Sequence, residues 1–410
     1  MSKIIELSGG VTAPAGFRAG GIYCGIKASS TKRDLALIYS EKPCIASAMF
    51  TTNKVKSACV IISQEHIADG VLRAIIANSG NANACTGEEG IASARKMANL
   101  AADLFAINPK QVAVASTGVI GVPLLISAIE SSIEALGNSL QGDEAGHSAA
   151  LEAIMTTDTR KKDGAVEAEI NGKKIRIGAM LKGSGMIHPN MATMLCFITT
   201  DAAIDRDALD DSLRKVVKRS INRVTVDGDT STNDMVIIMA NGQAGNDAIK
   251  SGSSEHEVFT QALEKLCVKL SRSLARDGEG ATKLLTVSVT GAVDEDSAEL
   301  MAKSVAGSSL VKAAFFGADA NWGRILCAMG YSGADFDPEK VDVIFASEGE
   351  EIMLCKNGAS LPFSETDAKR ILEREEIEII INTGAGSGQA AAWGCDLTYD
   401  YVKINGDYRS

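Results

Sequence analysis

The stretch that most constrains the fold runs from Lys182 to Asp201, where a glycine-rich segment leads directly into an apolar run. It reads Lys-Gly-Ser-Gly-Met-Ile-His-Pro-Asn-Met-Ala-Thr and continues Met-Leu-Cys-Phe-Ile-Thr-Thr-Asp. Glycine tolerates backbone conformations that other residues avoid, and the apolar run after Thr193 predicts a buried strand. A hydroxyl group at the start of such a strand can be aimed by the backbone. The pattern therefore suits either a tight loop before a core strand or a nucleophile at which the chain also cuts itself.

The length and charge of the chain limit its class. With 410 residues it is too long for one simple core, which predicts two or three domains or one multilayered domain. A net charge of -11 argues against a nucleic-acid partner, because nucleic-acid-binding proteins carry basic patches. No apolar run reaches the roughly 18 residues of a membrane span, and the N-terminus lacks the apolar centre of a signal peptide. We therefore expect a cytoplasmic protein without a membrane partner.

Cysteine and histidine spacing gives no support for a metal site. The nine cysteines are scattered without a Cys-x-x-Cys pair, which predicts free thiols. The four histidines are dispersed, and His188 is the only one beside candidate catalytic residues. The acidic loop with Asp227, Asp229 and Asp234 lacks the ligand spacing and terminal glutamate of an EF-hand. We expect a hydrogen-bonded loop there and no bound metal.

The pattern of apolar residues predicts an α/β protein. Short apolar or β-branched runs between turn residues favour a mainly antiparallel sheet. Strands are predicted near 35–39, 46–50, 58–63, 72–77, 112–115, 165–170, 174–180, 194–200, 235–240, 284–290, 341–345, 352–354 and 376–381. Helical spacing is predicted at 91–105, 205–220, 255–273 and 297–316.

Three glycine-containing motifs each allow two interpretations. Thr117 and Gly118 follow a short strand, so they form either a strand-to-helix turn or an oxyanion hole made of a hydroxyl and a backbone N–H. Glu279 stands between two glycines and is either a solvated turn acid or a cleft carboxylate. The run 379–392 is close to a dinucleotide fingerprint, but its Gly-x-Gly-x-Gly spacing and the short remaining chain favour a glycine turn that lets a helix pack closely.

Several motifs taken together carry a family resemblance. They are Ser-Thr-Gly-Val-Ile-Gly from Ser116, Met-Thr-Thr-Asp-Thr from Met155, the Lys182 stretch, Arg-Asp-Gly-Glu-Gly from Arg276, Gly-Ala-Asp-Ala-Asn-Trp-Gly from Gly317 and the tail from Cys395 to Ser410. In this order they resemble the ornithine acetyltransferase (ArgJ, glutamate N-acetyltransferase) family of arginine biosynthesis. The resemblance implies an α/β fold of the ArgJ/DmpA-like N-terminal-nucleophile type, with β-sheets layered between helices.

The same resemblance implies that the precursor cleaves itself between Ala192 and Thr193. The products would be an α-chain of 1–192 and a β-chain of 193–410, assembled as α2β2. Thr193 would be the nucleophile, and Thr117 and Gly118 would stabilise the oxyanion. The substrate contacts would be Thr156 (in preference to the adjacent Thr157), Lys182, Thr193, Glu279, Asn405 and Ser410.

The implied reaction transfers the acetyl group of N-acetylornithine to glutamate through an acetyl-Thr193 ester, without a cofactor. After cleavage the α-amino group of Thr193, with a reference pKa of about 7.7–8.0, can serve as the base. The sequence leaves open whether acetyl-CoA is a second donor. A related N-terminal-nucleophile aminopeptidase or amidase is the alternative enzyme, and a self-processed binding protein is the alternative without catalysis.

Overall fold

The computed structural model describes residues 4–27, 31–188 and 194–407, which form two compact units. Within those residues, unit 1 comprises 4–183, 194–218 and 230–270, and unit 2 comprises 184–188, 219–229 and 271–407. The predicted division into 1–192 and 193–410 concerns a cleavage, and it stays a prediction.

Strands and helices are interspersed along the chain, with several runs of consecutive strands and of consecutive helices. The strands are β1 (Ile5–Leu7), β2 (Phe17–Ile22), β3 (Leu35–Phe50), β4 (Val71–Asn81), β5 (Val112–Val119), β6 (Lys162–Ile170), β7 (Lys173–Lys182), β8 (Leu195–Thr200), β9 (Met235–Ala240), β10 (Leu284–Ala292), β11 (Asp342–Ser347), β12 (Glu350–Lys356), β13 (Ala359–Ser360), β14 (Glu376–Asn382) and β15 (Gly388–Cys395). The helices are α1 (Ala58–His66), α2 (Gly87–Asp103), α3 (Ile126–Asn138), α4 (Glu144–Ile154), α5 (Arg206–Arg219), α6 (Ser254–Arg276), α7 (Glu295–Gly307), α8 (Ser309–Phe316), α9 (Trp322–Gly330), α10 (Glu365–Leu372) and α11 (Tyr399–Gly406).

Unit 1 is built on a nine-stranded sheet that folds over at β3. The strand order is β1-β6-β7-β8-β9-β3-β4-β5, with β2 also paired to β3. The register between β3 and β4 shifts between Tyr39 and Cys44, where Pro43 has no N–H to donate. Buried residues of β3, β4 and β5 share one core with buried residues of β7, β8 and β9. The two halves of the sheet therefore pack face to face.

Helices cover the outer sides of this folded sheet. Alternate residues of β3, such as Leu35 and Leu37, face a separate core formed with α1, α2 and α3. On the other half, α6 packs against β6 where Leu266 approaches Gly164. This arrangement confirms the predicted α/β fold with sheets between helices, and most strand pairs are antiparallel as predicted.

Unit 2 is built on a six-stranded sheet with the order β13-β12-β11-β14-β10-β15. One face of this sheet is buried against α7, α8, α9 and α10. Alternation along β14, with Ile377, Ile379 and Ile381 buried, shows that the opposite face is less covered.

Three predicted elements were wrong. Residues 58–63 form α1 rather than a strand, because Ser57 caps the helix and the Ser63 hydroxyl donates to the Val114 carbonyl of β5. The helix predicted at 297–316 is two helices, since Ser308 ends α7 and caps α8. The alanine-rich run after the glycines at 384–388 is strand β15, paired with β10, and not a closely packed helix.

None of the helices seen in the described chain is both long and apolar enough to cross a membrane.

Candidate active site

Two predicted site residues, Thr117 and Lys182, meet in unit 1. Thr117 lies in β5, Lys182 ends β7, and each residue is 9% exposed. The Lys182 ammonium donates a hydrogen bond of 2.9 Å to the Thr117 hydroxyl oxygen. Because this oxygen accepts from lysine, the hydroxyl hydrogen of Thr117 can be donated to another group. The fold over β3 makes this contact possible, since β5 and β7 are far apart in strand order.

Gly118 is required by the packing of β4 on β5. Its φ of 136° lies in the region that favours glycine. It pairs with Gly80 in the strand register, and a Cβ at Gly118 would lie 2.3 Å from the Gly80 carbonyl carbon. A side chain would therefore push the two strands apart. This close approach explains the glycine by itself, and its role in an oxyanion hole stays a prediction.

A buried ion pair lies beside Lys182. The side chains of Asp158 and Lys162 are 0% exposed, and Lys162 Nζ donates to Asp158 Oδ1 at 2.7 Å. The same carboxylate accepts from the N–H groups of Gly183, at 2.7 Å, and Thr156, at 2.9 Å. Burial acts to raise the pKa of Asp158, but Lys182 and Lys162 outweigh it and lower the pKa to about 2. Asp158 therefore stays ionised and fixes the backbone on both sides of the cluster.

A carboxyl group with an unpaired oxygen lies beside the start of β8. Asp234 is 2% exposed and directly precedes β9, where the Met235 N–H donates to the Met194 carbonyl oxygen at 3.1 Å. Among the described residues, nothing bonds to Asp234 Oδ2. Burial raises the pKa of this carboxyl well above its usual value, although Ser231 and Lys182 act in the opposite direction. Burial therefore favours the protonated form of the Asp234 carboxyl, beside Met194, the residue that follows Thr193 in the sequence.

Asp234→Asn should stabilise the protein more at pH 7 than at pH 5. Because the pKa of Asp234 is raised in the folded state, the carboxyl loses its proton at a lower pH in the unfolded chain than in the folded chain. The free energy of unfolding of the wild type therefore falls as the pH rises above about 3.9. The free energy of unfolding decreases by up to roughly 1.4 kcal/mol per pH unit. Asparagine does not ionise, so the variant does not show this decrease. Urea midpoints at pH 5, 6 and 7, measured in an uncut Thr193→Ala background, give the difference, with Asp229→Asn as an exposed control. A difference independent of pH would contradict a raised pKa for the Asp234 carboxyl.

Glu279 is buried in unit 2, so the interpretation as a solvated turn acid is wrong. It is 7% exposed, and its N–H donates to the Ser184 carbonyl oxygen at 3.0 Å. Its carboxylate accepts from Asn405 Nδ2 at 2.8 Å. A Cβ on Gly185 would lie 2.2 Å from the carboxylate, so glycine makes room for it. Two predicted substrate residues, Glu279 and Asn405, are thus directly bonded.

Asp227 holds the segment that ends at His188. Its carboxylate accepts from the N–H groups of Met186, at 2.6 Å, and Ile187, at 2.8 Å. The His188 imidazole bonds to the Thr225 hydroxyl at 3.0 Å, which suits structural support of the segment. These bonds agree with the predicted hydrogen-bonded loop. In the part of the chain that the structure describes, no group of three His, Cys, Asp or Glu residues could hold a metal.

Three predicted site residues, Ala192, Thr193 and Ser410, lie outside the described residues. Thr156 and Thr157 are both partly exposed, and the choice between them as a substrate contact stays a prediction.

The sequence interpretation missed Asp158 as an organising group, and it considered Asp227 and Asp234 only as members of a hydrogen-bonded loop that could be mistaken for a metal site. Asp158 stands inside a motif that was used for the resemblance, but its partners Lys162 and Gly183 come from two other segments. The only local signal was an acidic residue within each turn-rich segment.

The folded sheet between helices defines a layered α/β protein, and unit 1 of this protein holds a buried threonine–lysine pair. Comparisons with known proteins agree. A sequence profile of the ArgJ family matches residues 18–410. The arginine biosynthesis bifunctional protein ArgJ of Symbiobacterium thermophilum is 52% identical over 405 residues, covering 98% of this chain and 99% of that protein. The ArgJ protein of Bacillus subtilis is 46% identical over 409 residues, covering 100% of this chain and 98% of that protein.

A solved structure gives the same assignment. The crystal structure of ArgJ from Bacillus halodurans is 48% identical, with a TM-score of 0.50, and covers 52% of this chain and 99% of the solved chain. The chain therefore belongs to the ArgJ family. This membership confirms the predicted enzyme class, a glutamate N-acetyltransferase of arginine biosynthesis.

Proposed function

We propose that the chain cleaves itself between Ala192 and Thr193 and then transfers the acetyl group of N-acetyl-L-ornithine to L-glutamate through an acetyl-Thr193 ester. The observation that carries this proposal is the bond from Lys182 to Thr117. It orients the Thr117 hydroxyl as a donor in a buried site, next to the glycine whose N–H would be the second donor. Each donor of an oxyanion hole contributes about 2.7–4 kcal/mol to the transition state.

The proposed cycle needs only groups of the cleaved chain. The free amine of Thr193 takes the proton of the Thr193 hydroxyl while its oxygen attacks the acetyl carbonyl carbon. The resulting oxyanion accepts from Thr117 and Gly118, and the proton passes to the departing amine of ornithine. The amine of glutamate then attacks the ester carbonyl, Thr193 leaves as an alcohol, and N-acetylglutamate forms. These two half-reactions predict ping-pong kinetics.

The proposed substrate contacts divide by charge. Lys182 suits a substrate carboxylate and Glu279 suits the ammonium group of ornithine. Asn405 holds the Glu279 carboxylate in place, which gives α11 a role in binding. Thr156, Thr193 and Ser410 complete the proposed contacts.

The proposal includes no cofactor and a cytoplasmic α2β2 assembly. The relatives are named bifunctional, and this name favours acetyl-CoA as a second acetyl donor for the same Thr193. Acetylation of glutamate from each donor, measured separately, tests that extension, and the mass of the native protein tests the assembly.

The central experiment is the intact mass of the purified protein, followed by ornithine release with and without glutamate. We expect two fragments, the second beginning Thr-Met-Leu-Cys, and sustained turnover that depends on glutamate. A single active chain would overturn the proposal. Release of acetate that is indifferent to glutamate would instead indicate the aminopeptidase or amidase alternative.

Glu279→Gln should separate binding from self-cleavage. The amide keeps the shape of the side chain and can still accept from Asn405, but it cannot pair with an ammonium group. We expect nearly complete cleavage and a KM for N-acetylornithine raised roughly tenfold or more, as for the loss of a charged contact worth about 1.5–3 kcal/mol. Glu339→Gln, at an exposed position, is the matched control. Equal loss of cleavage and transfer would argue against a substrate role for Glu279.

A further inference from the structure

The Lys27 side chain lies over Gly80 of β4, the strand paired with the one that carries Thr117 and Gly118. A Cβ at Gly80 would lie 2.9 Å from Lys27 Cγ, and Gly80 is the register partner of Gly118. The Lys27 ammonium donates to the carbonyl oxygens of Met155, at 2.8 Å, and Arg33, at 3.0 Å. Its alkyl chain thus covers Gly80, and its charge lies at the residue before Thr156.

The Lys27 ammonium has no ion-pair partner of its own within the described ranges. No carboxylate there lies within ion-pair distance of it. The nearby Asp34 is fully buried and accepts from the N–H groups of Cys24, Gly25 and Lys27. Asp158 is already bonded to Lys162 and two backbone N–H groups. Counting only bonds among described residues, two of the three ammonium hydrogens are donated to carbonyl groups, so the third is available to a ligand.

The surroundings of Lys27 favour an anion. Burial lowers the pKa of Lys27 to about 8, and the positive charges of Lys32 and Lys182 act in the same direction, against Asp34 and Asp158. A partly buried cation beside other cations is costly, and a bound carboxylate would relieve that cost. Such a group points to a ligand with negative charge.

We propose that Lys27 binds the side-chain carboxylate of the acceptor amino acid, as a second cation beside Lys182. This inference rests on the proposed function. A dicarboxylate acceptor has one carboxylate more than the acetylated donor, and Lys27 supplies a cation in addition to Lys182. The donor carries an ammonium group at its side-chain end and gains nothing from a neighbouring cation. Lys27 is thus a specificity residue for the second half-reaction.

Lys27→Met tests this role, because it keeps the alkyl cover over Gly80 and removes the charge. We expect the KM for glutamate to rise at least tenfold, with the preference for glutamate over glutamine largely lost. The release of ornithine in the first turnover should stay within about twofold of wild type. Lys27→Arg should retain most of the preference, and Lys110→Met, at an exposed site, should change nothing. An unchanged preference in Lys27→Met would overturn the role of Lys27.

A second measurement needs no variant. Glutarate, a dicarboxylate without an amine, should inhibit the wild-type enzyme at least tenfold better than valerate, which has one carboxylate. Equal inhibition would overturn the inference even if Lys27→Met fails to fold. If wild-type protein shows no glutamate-dependent transfer at all, the proposed function itself has failed. If the wild type transfers acetyl groups to glutamate and Lys27→Met keeps the wild-type KM and preference for glutamate, only the role of Lys27 is contradicted.

Discussion

Thr193→Ala should leave the protein as one uncut chain without acetyltransferase activity. The substitution removes the hydroxyl that the proposal uses twice, first against the Ala192 carbonyl and then against the acetyl group. Without cleavage the amine that would act as base is also never released. Loss of a nucleophile that also generates its own base should reduce turnover by on the order of 10⁴-fold or more. Intact mass and ornithine release measure the two effects separately.

Thr193→Ser is the informative companion, because it keeps a hydroxyl at the same position. We expect it to cleave, more slowly than wild type, and to retain measurable transfer. Thr159→Ala, at an exposed position, controls for unrelated effects of removing a threonine. Two fragments from the Thr193→Ala chain would refute the self-cleavage mechanism.

Asp158→Asn should cost about 3–5 kcal/mol of the free energy of unfolding, the usual result of leaving a buried charge without its partner. Without Asp158 the Lys162 ammonium cannot be hydrated in the folded protein, because its side chain is 0% exposed. The folded pKa of Asp158, about 2 against 3.8, means that its contribution is present above pH 3.8 and is lost as pH falls through 2. The difference in the free energy of unfolding between wild type and Asp158→Asn should therefore become smaller as the pH falls. Urea unfolding in the uncut Thr193→Ala background measures it on a single chain.

Two further variants show how large the effect of Asp158→Asn should be. Asp163 bonds to His147 at 2.9 Å and is 34% exposed, so Asp163→Asn should cost only about 1 kcal/mol or less. Adding Lys162→Met to Asp158→Asn should recover part of the loss, because the stranded charge is removed. A loss below about 1 kcal/mol for Asp158→Asn would contradict the importance of the buried pair.

Most strands and helices could be predicted from local patterns, and the failures have identifiable causes. The strands predicted at 165–170 and 174–180 are confirmed as β6 and β7, which are joined at Asn171 and Gly172, residue types that favour a two-residue hairpin turn. The β-branched residues of 58–63 favour a strand, but a cap at Ser57 and contacts with β5 decide for a helix. The fold of the sheet over β3 has no local signal, because it depends on which distant strands pair with each end of β3.

The site was predictable only where a motif contains it. Thr117, Gly118, Lys182, Glu279 and Asn405 stand in motifs that resemble a family, and the structure joins Thr117 to Lys182 and Glu279 to Asn405. The raised pKa of the Asp234 carboxyl and the lowered pKa of the Lys27 ammonium depend on burial and on charged side chains far away in sequence, Lys182 among them. Properties of this kind arise from the folded environment and cannot be read from spacing.

The pairing of β7 with β8 has a consequence for the lifetime of the protein. Ile177 pairs with Thr200 at one end of this ladder, and Lys182 pairs with Leu195 at the other. β7 precedes the predicted cut and β8 follows it. Two fragments joined by such a ladder can separate only when the sheet and its core come apart. After separation the two fragments must associate before they can refold, so refolding depends on their concentration. The uncut precursor refolds as one molecule. The mature enzyme would then owe its durability to slow unfolding rather than to a reversible equilibrium.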